Sequence, residues 1–92
     1  MKIFLTSIGD LRDYFGRDSQ EIVLSENATL NDLLLEIDSR WGRTLPPYLW
    51  DQRKKIFRGS IFFLINKEVA QDPNLPLTDG LQITLMKALV GG

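Results

Sequence analysis

The stretch 29–42 constrains the fold of this chain more than any other part of its sequence. Thr29 and Asp32 have the spacing of a capping box, so a helix is predicted to begin at Leu30. Gly42 is predicted to end the helix in the left-handed conformation. The apolar residues recur every three or four positions and form one stripe: Leu30, Leu33, Leu34, Ile37 and Trp41. A helix over 30–41 with a single apolar stripe needs a sheet to cover.

Two runs that favour strands precede this helix. Residues 2–8 and 20–24 are rich in β-branched and aromatic side chains, and they are predicted to form an opening hairpin. Ile3 and Leu5 would share one face of the first strand, with Phe4 on the other. The polar stretch between the two strands is compatible with a short helical turn.

Further strands are predicted after the helix. Residues 61–65 are all apolar, which is typical of a strand buried along most of its length, and 66–67 form a turn into a short return strand. Residues 78–80 are a second turn signal, and 81–87 alternate in polarity. With the first and last strands side by side and parallel, the order predicts an α+β roll of the β-grasp kind. Its mixed sheet would have about four to five strands and one main helix.

The segment 43–60 shows neither the apolar period of a helix nor that of a strand. A pair of prolines prevents continuation of the helix, and Arg53, Lys54, Lys55 and Arg58 form a basic cluster. A solvated loop is the favoured interpretation. A contact for a phosphate or for an acidic patch of a partner is the alternative, although no glycine-rich phosphate loop accompanies the cluster.

Composition excludes several classes of function. The sequence has no cysteine and no histidine, so the commonest general base and the commonest transition-metal ligands are missing. We expect no catalytic residues and no bound metal. The net charge of −1 argues against nucleic acid as a partner. No apolar run reaches the ~18 residues of a membrane span, and we expect a soluble, cytoplasmic protein.

The sequence ends in Gly91-Gly92, directly after a strand-like run. Glycine loses the most backbone entropy on ordering, so a pair of glycines favours a terminus that must pass through a narrow space. A frayed end is the alternative. The predicted division is a β-grasp domain over 1–87 and a flexible C-terminal tail over 88–92.

Three pieces of sequence resemble the MoaD/ThiS family of ubiquitin-like sulfur carriers. Ile65-Asn66-Lys67 is followed by Leu77-Thr78-Asp79-Gly80, then by a strand and the terminal Gly91-Gly92. This order and spacing are most similar to MoaD, the small subunit of molybdopterin synthase. MoaD chains commonly have two prolines before the tail, at the positions that residues 87–90 occupy in this chain. In this respect the tail of this chain is closer to the tails of ThiS chains. The segment 43–60 is longer than ThiS chains usually allow.

The resemblance implies a chemistry for the tail. In this family an E1-like adenylyltransferase of the MoeB/ThiF kind uses ATP and Mg²⁺ to adenylate the C-terminal carboxylate. Sulfur from a persulfide then replaces AMP and leaves a thiocarboxylate. Gly92 would carry the reacting carbon, while Leu89, Val90 and Gly91 would thread into the enzyme.

The resemblance also implies a biological role for the protein. It would not be an enzyme itself but a sulfur donor in molybdenum cofactor biosynthesis, compatible with the small subunit of a synthase beside a MoaE-like large subunit. A thiamine-pathway carrier, a modifier conjugated to lysines and a passive β-grasp interaction module remain alternatives.

A docking surface is predicted on the outer face of the sheet. Phe4, Phe62, Leu64 and Met86 are apolar at positions where a solvated face would be polar, and an apolar patch of this kind usually marks an interface. The alternative is that these side chains lie under the segment 43–60.

Overall fold

The computed structural model describes residues 1–88, which form one mixed sheet, two helices and a small separate hairpin. No helix within this range is long and apolar enough to cross a membrane. The strands are β1 (Lys2–Ser7), β2 (Gln20–Val23), β3 (Trp50–Asp51), β4 (Ile56–Phe57), β5 (Ile61–Ile65), β6 (Glu68–Ala70) and β7 (Gln82–Lys87), and the helices are α1 (Arg12–Phe15) and α2 (Leu30–Trp41).

The five-stranded sheet has the order β2-β1-β7-β5-β6. Strands β1 and β7 run parallel at its centre, and every other neighbouring pair is antiparallel. The predicted β-grasp arrangement is thereby confirmed, including the adjacent first and last strands. The expected helical turn after β1 is present as a 3₁₀ turn, Gly9–Leu11, followed by α1.

The core lies between α2 and the inner face of the sheet. Leu33 and Ile37 of α2 are fully buried, as are Ile3 and Leu5 of β1. Each buried aliphatic side chain of this size contributes roughly 1.5–3 kcal/mol to folding relative to an exposed one. The predicted stripe therefore faces the sheet, as the helical spacing required.

Both ends of α2 agree with the prediction, but the conformation of Gly42 after it does not. The Thr29 backbone N–H donates to Asp32 Oδ2 at 2.8 Å. Gly42, predicted to be left-handed, has φ −54° and ψ −33°, so the chain continues in right-handed geometry. A Cβ at Gly42 would lie 2.6 Å from the Asp38 carbonyl oxygen. Glycine is needed there because the backbone approaches closely, and not for its left-handed freedom.

The segment 43–60 is more ordered than its sequence indicates. It contains the β3–β4 hairpin, and Trp50, which is only 1% exposed, donates from Nε1 to Asp38 Oδ1 at 3.0 Å. The Phe57 ring contacts the ring of Trp50 edge-on, with centroids 4.8 Å apart, and that of Phe63 at 5.8 Å. The hairpin is thus part of the core on the helix side of the sheet.

Strand β5 differs from its prediction. It is an interior strand between β7 and β6, but only Phe63 of its five residues is buried, whereas burial along most of the strand was predicted. Successive side chains of a strand point to opposite faces of the sheet, so some of the apolar residues of β5 point to the outer face and not to the core. The turn after β5 is confirmed, with both Asn66 and Lys67 at positive φ.

Candidate docking face and base of the C-terminal segment

Strand register brings three of the four predicted docking residues together on the outer face. Phe62 of β5 lies opposite Met86 of β7, and Leu64 lies opposite Thr84 one row further along. All of these side chains are partly exposed. The outer face thus carries a continuous apolar patch over β7 and β5, next to the point where β7 ends.

Phe4 lies apart from the other three. It is level with Gln82 on β7 and with Glu21 on β2. Met86 is four positions further along β7, which is about 13 Å at roughly 3.3 Å per residue. Polar neighbours flank Phe4 on both sides, so it forms a separate contact point on the same face.

Two further residues extend the patch and were missing from the sequence prediction. Val69 of β6 lies opposite Leu64 and is 49% exposed. Ile8 follows β1, donates its backbone N–H to the Leu85 carbonyl at 3.2 Å, and is 42% exposed. The alternation that places Phe4 outward also places Ile8 outward, so the signal for Ile8 was present in the sequence.

The segment 43–60 packs on the opposite side from this patch. Phe57 contacts Phe63, whose side chain points to the core, whereas its neighbour Phe62 points outward. Trp50 bonds to α2 through Asp38. The side chains that anchor the segment therefore lie on the helix side, and the exposure of the outer face does not depend on them.

A groove of about 550 Å³ lies where the patch meets the end of β7. Ser60 closes one side of it and holds the residue after the strand: the Ala88 N–H donates to the Ser60 carbonyl at 2.8 Å, and Ser60 Oγ donates to the Ala88 carbonyl at 3.4 Å. The groove is lined by Ile8, Gly9, Asp10, Ser60, Met86, Lys87 and Ala88. Backbone pairing thus continues one residue past β7.

A turn at the other end of β7 fixes where that strand starts. Asp79 Oδ1 accepts the Lys2 backbone N–H at 2.7 Å, and the Gly80 N–H donates to the Lys2 carbonyl at 2.7 Å. Gly80 has φ +83°, a conformation that suits glycine. The sequence indicated a turn here but not its contact with β1, which aligns the start of β7 with the start of β1.

The remaining predicted site residues, Leu89, Val90, Gly91 and Gly92, lie outside the described residues. Within residues 1–88, no group of carboxylates is arranged to hold a metal ion. What the described part of the chain offers is a contact surface that leads to Ala88.

The sequence profile of the ThiS family matches residues 7–92. The match covers nearly the whole chain and includes both turns and the terminal glycines. Comparison with curated protein sequences gives no match.

Solved structures of similar fold come from several organisms. Small archaeal modifier protein 1 from Haloferax volcanii has a TM-score of 0.78 at 18% identity, with 100% of both chains covered. Urm1 from Trypanosoma brucei has a TM-score of 0.73 at 23% identity, covering 99% of this chain and 95% of that one. In the complex of subunits 1 and 2 of the molybdopterin-converting factor from Helicobacter pylori, the matching chain has a TM-score of 0.66 at 21% identity, with 100% of both covered. These likenesses show the ubiquitin-like β-grasp fold.

Proposed function

Because the chain belongs to the ThiS family, we propose that it is a sulfur carrier that delivers its C-terminal carboxylate to an E1-like adenylyltransferase. The proposal takes Gly92 as the last residue of the mature protein. One observation carries it: β7 contributes Met86 to the apolar outer face and ends at Lys87, and the next residue, Ala88, lines the groove. A partner bound to that face would therefore receive the C-terminal segment directly.

The proposed chemistry uses the carboxylate of Gly92 as a substrate. A carboxylate oxygen attacks the α-phosphate of ATP, pyrophosphate leaves with Mg²⁺ shielding its charge, and an acyl-adenylate forms. The terminal sulfur of a persulfide then attacks the acyl carbon and displaces AMP. Reduction of the resulting acyl disulfide by a thiol leaves the thiocarboxylate. Every catalytic group in these steps belongs to the partner enzymes.

The length of the C-terminal segment fits this division of labour. Residues 89–92 reach at most about 14 Å beyond Ala88 when fully extended. Ala88 itself is tied to Ser60 by backbone hydrogen bonding. In the proposed complex the folded body stays outside the enzyme, and only the last few residues enter its pocket.

We further propose that the sulfur is delivered to molybdopterin synthesis. The support is the similarity to the molybdopterin-converting factor of Helicobacter pylori, which is a complex of two subunits. By this analogy a MoaE-like large subunit would bind the apolar patch of Phe62, Leu64 and Met86. The adenylyltransferase and the large subunit would then use the same face in turn.

A second candidate function is conjugation to other proteins. The similarity to a small archaeal modifier protein supports it. A modifier would use the same adenylate, but a lysine amine of the target protein would attack its acyl carbon, form an isopeptide bond and displace AMP.

Intact-mass spectrometry of the protein from its native cells tests both candidates. Replacement of one oxygen by sulfur on the free protein is the expected result for a carrier. A ladder of covalent adducts to other proteins would support the modifier. An unmodified chain in cells that actively synthesise molybdopterin would contradict the carrier proposal.

A further inference from the structure

Charge is segregated in this chain. Segment 43–60 has five basic residues and one acidic residue, for a net charge of +4, whereas the rest of the sequence has six basic and eleven acidic residues, for a net charge of −5. The overall charge of −1 conceals this division. The positive part is concentrated on the turn of the β3–β4 hairpin.

The hairpin turn is built around one carboxylate, that of Asp51. Asp51 Oδ1 accepts the backbone N–H of Arg53 at 2.9 Å and that of Lys54 at 3.0 Å. The Asp51 carbonyl accepts the N–H of Lys55 at 2.7 Å. These bonds fix the backbone from which the basic side chains project.

Two of the four clustered cations have acidic partners and two do not. Lys55 Nζ lies 3.5 Å from Asp38 Oδ2, and Arg58 lies 3.3 Å from Asp51 Oδ2. Arg53 and Lys54 are exposed and form no ion pair with any residue in the range 1–88. Two cations of the cluster thus form ion pairs within the chain, and the other two, which are adjacent in sequence, face solvent.

The two free cations line a cleft of about 680 Å³, within the ~300–1,000 Å³ typical of ligand sites. Pro47 and the buried Trp50 provide an apolar wall, and the ion-paired Asp51 and Arg58 also line the cleft. Gln52 lines it too, with its Nε2 donating to the Gly42 carbonyl at 3.0 Å. The cleft therefore combines cationic, hydrogen-bonding and apolar surface. That combination suits a segment of polypeptide better than an isolated ion.

We propose that this cleft binds an acidic segment of a partner protein, whose carboxylates pair with Arg53 and Lys54. A nucleic acid fits less well, because two free cations neutralise few phosphates and the rest of the chain, at −5, repels a polyanion. The cleft lies on the helix side of the sheet, since Lys55 and Trp50 both contact Asp38 of α2. An acidic partner can therefore bind while the outer face is occupied.

The test uses the full-length protein, isotope-labelled for NMR, and a hexaglutamate peptide as the probe. Saturable shifts confined to the amides around Gln52, Arg53 and Lys54 are expected. The double variant Arg53→Glu/Lys54→Glu should raise the apparent Kd at least about tenfold, and added salt should weaken binding because the contact is electrostatic. Arg58 is left unchanged, since its ion pair supports the hairpin.

The matched control is Arg17→Glu/Lys67→Glu, which changes net charge equally at exposed positions elsewhere. Equal loss of peptide binding in this control, or the absence of saturable shifts in the native protein, would overturn the proposal. Tighter binding of a hexauridylate than of the peptide would also overturn it and assign the cleft to nucleic acid. The variant should still be adenylated normally, so failure here is distinguishable from failure of the carrier function.

Discussion

The side chain of Asp79 accepts a hydrogen bond from the backbone N–H of Lys2 at 2.7 Å, joining two residues that are 77 positions apart in the sequence. The contact fastens the start of β7 to the start of β1, its parallel neighbour. Beyond this point the two strands stay paired, with Phe4 level with Gln82 and Ser7 level with Leu85. The turn thereby aligns β7, the strand that carries Met86, with β1.

Replacing Asp79 should loosen this junction without unfolding the domain. Asp79→Ala removes the acceptor of the Lys2 N–H and should lower the free energy of unfolding by about 1 kcal/mol, measured by urea denaturation. Hydrogen exchange of the Lys2 amide should become faster. Asp79→Asn is the control, because its amide oxygen still accepts. Equal destabilisation by both variants would show that charge, and not the hydrogen bond, holds the turn.

The turn after β5 should tolerate glycine better than its native residue. Lys67 has φ +67° after Asn66 at φ +52°, the geometry of a tight hairpin turn in which Asn-Gly is preferred. Lys67→Gly should therefore raise the free energy of unfolding by roughly 0.5 kcal/mol, despite the added freedom of the unfolded chain. Lys54→Gly, at a residue without positive φ, is the control and should not stabilise. A stabilised control would mean that removal of charge is the cause.

Acid should weaken the β3–β4 hairpin before it affects the core. The N–H groups of Lys54 and Arg53 donate to Asp51 and lower the pKa of its carboxyl. A lowered pKa means that the ionised form stabilises the folded state above the unfolded pKa, and that this contribution is lost as pH falls through the folded pKa. The Lys54 amide resonance should report this step in an acid titration. Asp51→Asn should abolish it, and its persistence would assign the titration to another group.

The sequence was informative wherever one local rule decides the outcome. Alternation placed Ile3 inward and Phe4 outward, and helical spacing identified the buried stripe of α2. The outer position of Ile8 follows from the same alternation, although β1 itself ends one residue earlier, at Ser7.

What the sequence could not predict depends on contacts between distant segments. The strands β3 and β4 are too short to show a period. The position of Trp50 depends on its hydrogen bond to Asp38 of α2, and no local apolar pattern indicates it. The need for glycine at position 42 arises from the same Asp38. The distance between Phe4 and Met86 depends on inter-strand register, which alternation along one strand does not contain.

Binding of the adenylyltransferase should depend on the apolar patch more than on Phe4. Phe62→Asp and Met86→Asp place charges at facing positions on β5 and β7 and should raise the Kd at least about tenfold, whereas Phe4→Asp should have a smaller effect. Val23→Asp is the control, because this 59% exposed residue lies on the edge strand β2, away from the patch. Calorimetric titration of the adenylyltransferase with each of the four variants measures these Kd values. Equal losses for every variant would indicate a general charge effect and contradict a localised patch.

The two terminal glycines should separate binding from chemistry. Gly92→Ala places a methyl group beside the reacting carbon, and Gly91→Ala restricts the backbone one residue earlier. Misplacing a carboxylate by about 1 Å in a closed site can cost roughly 10²-fold in rate, because attack on the α-phosphate requires alignment. Both variants should therefore lose ATP–pyrophosphate exchange by about that factor at saturating protein, while their Kd for the adenylyltransferase stays close to the native value. The patch variant Met86→Asp should show the converse, with weakened binding and near-normal exchange once saturation is reached. Glycine variants that bind poorly but exchange normally at saturation would show that the terminal residues anchor the complex rather than react in it.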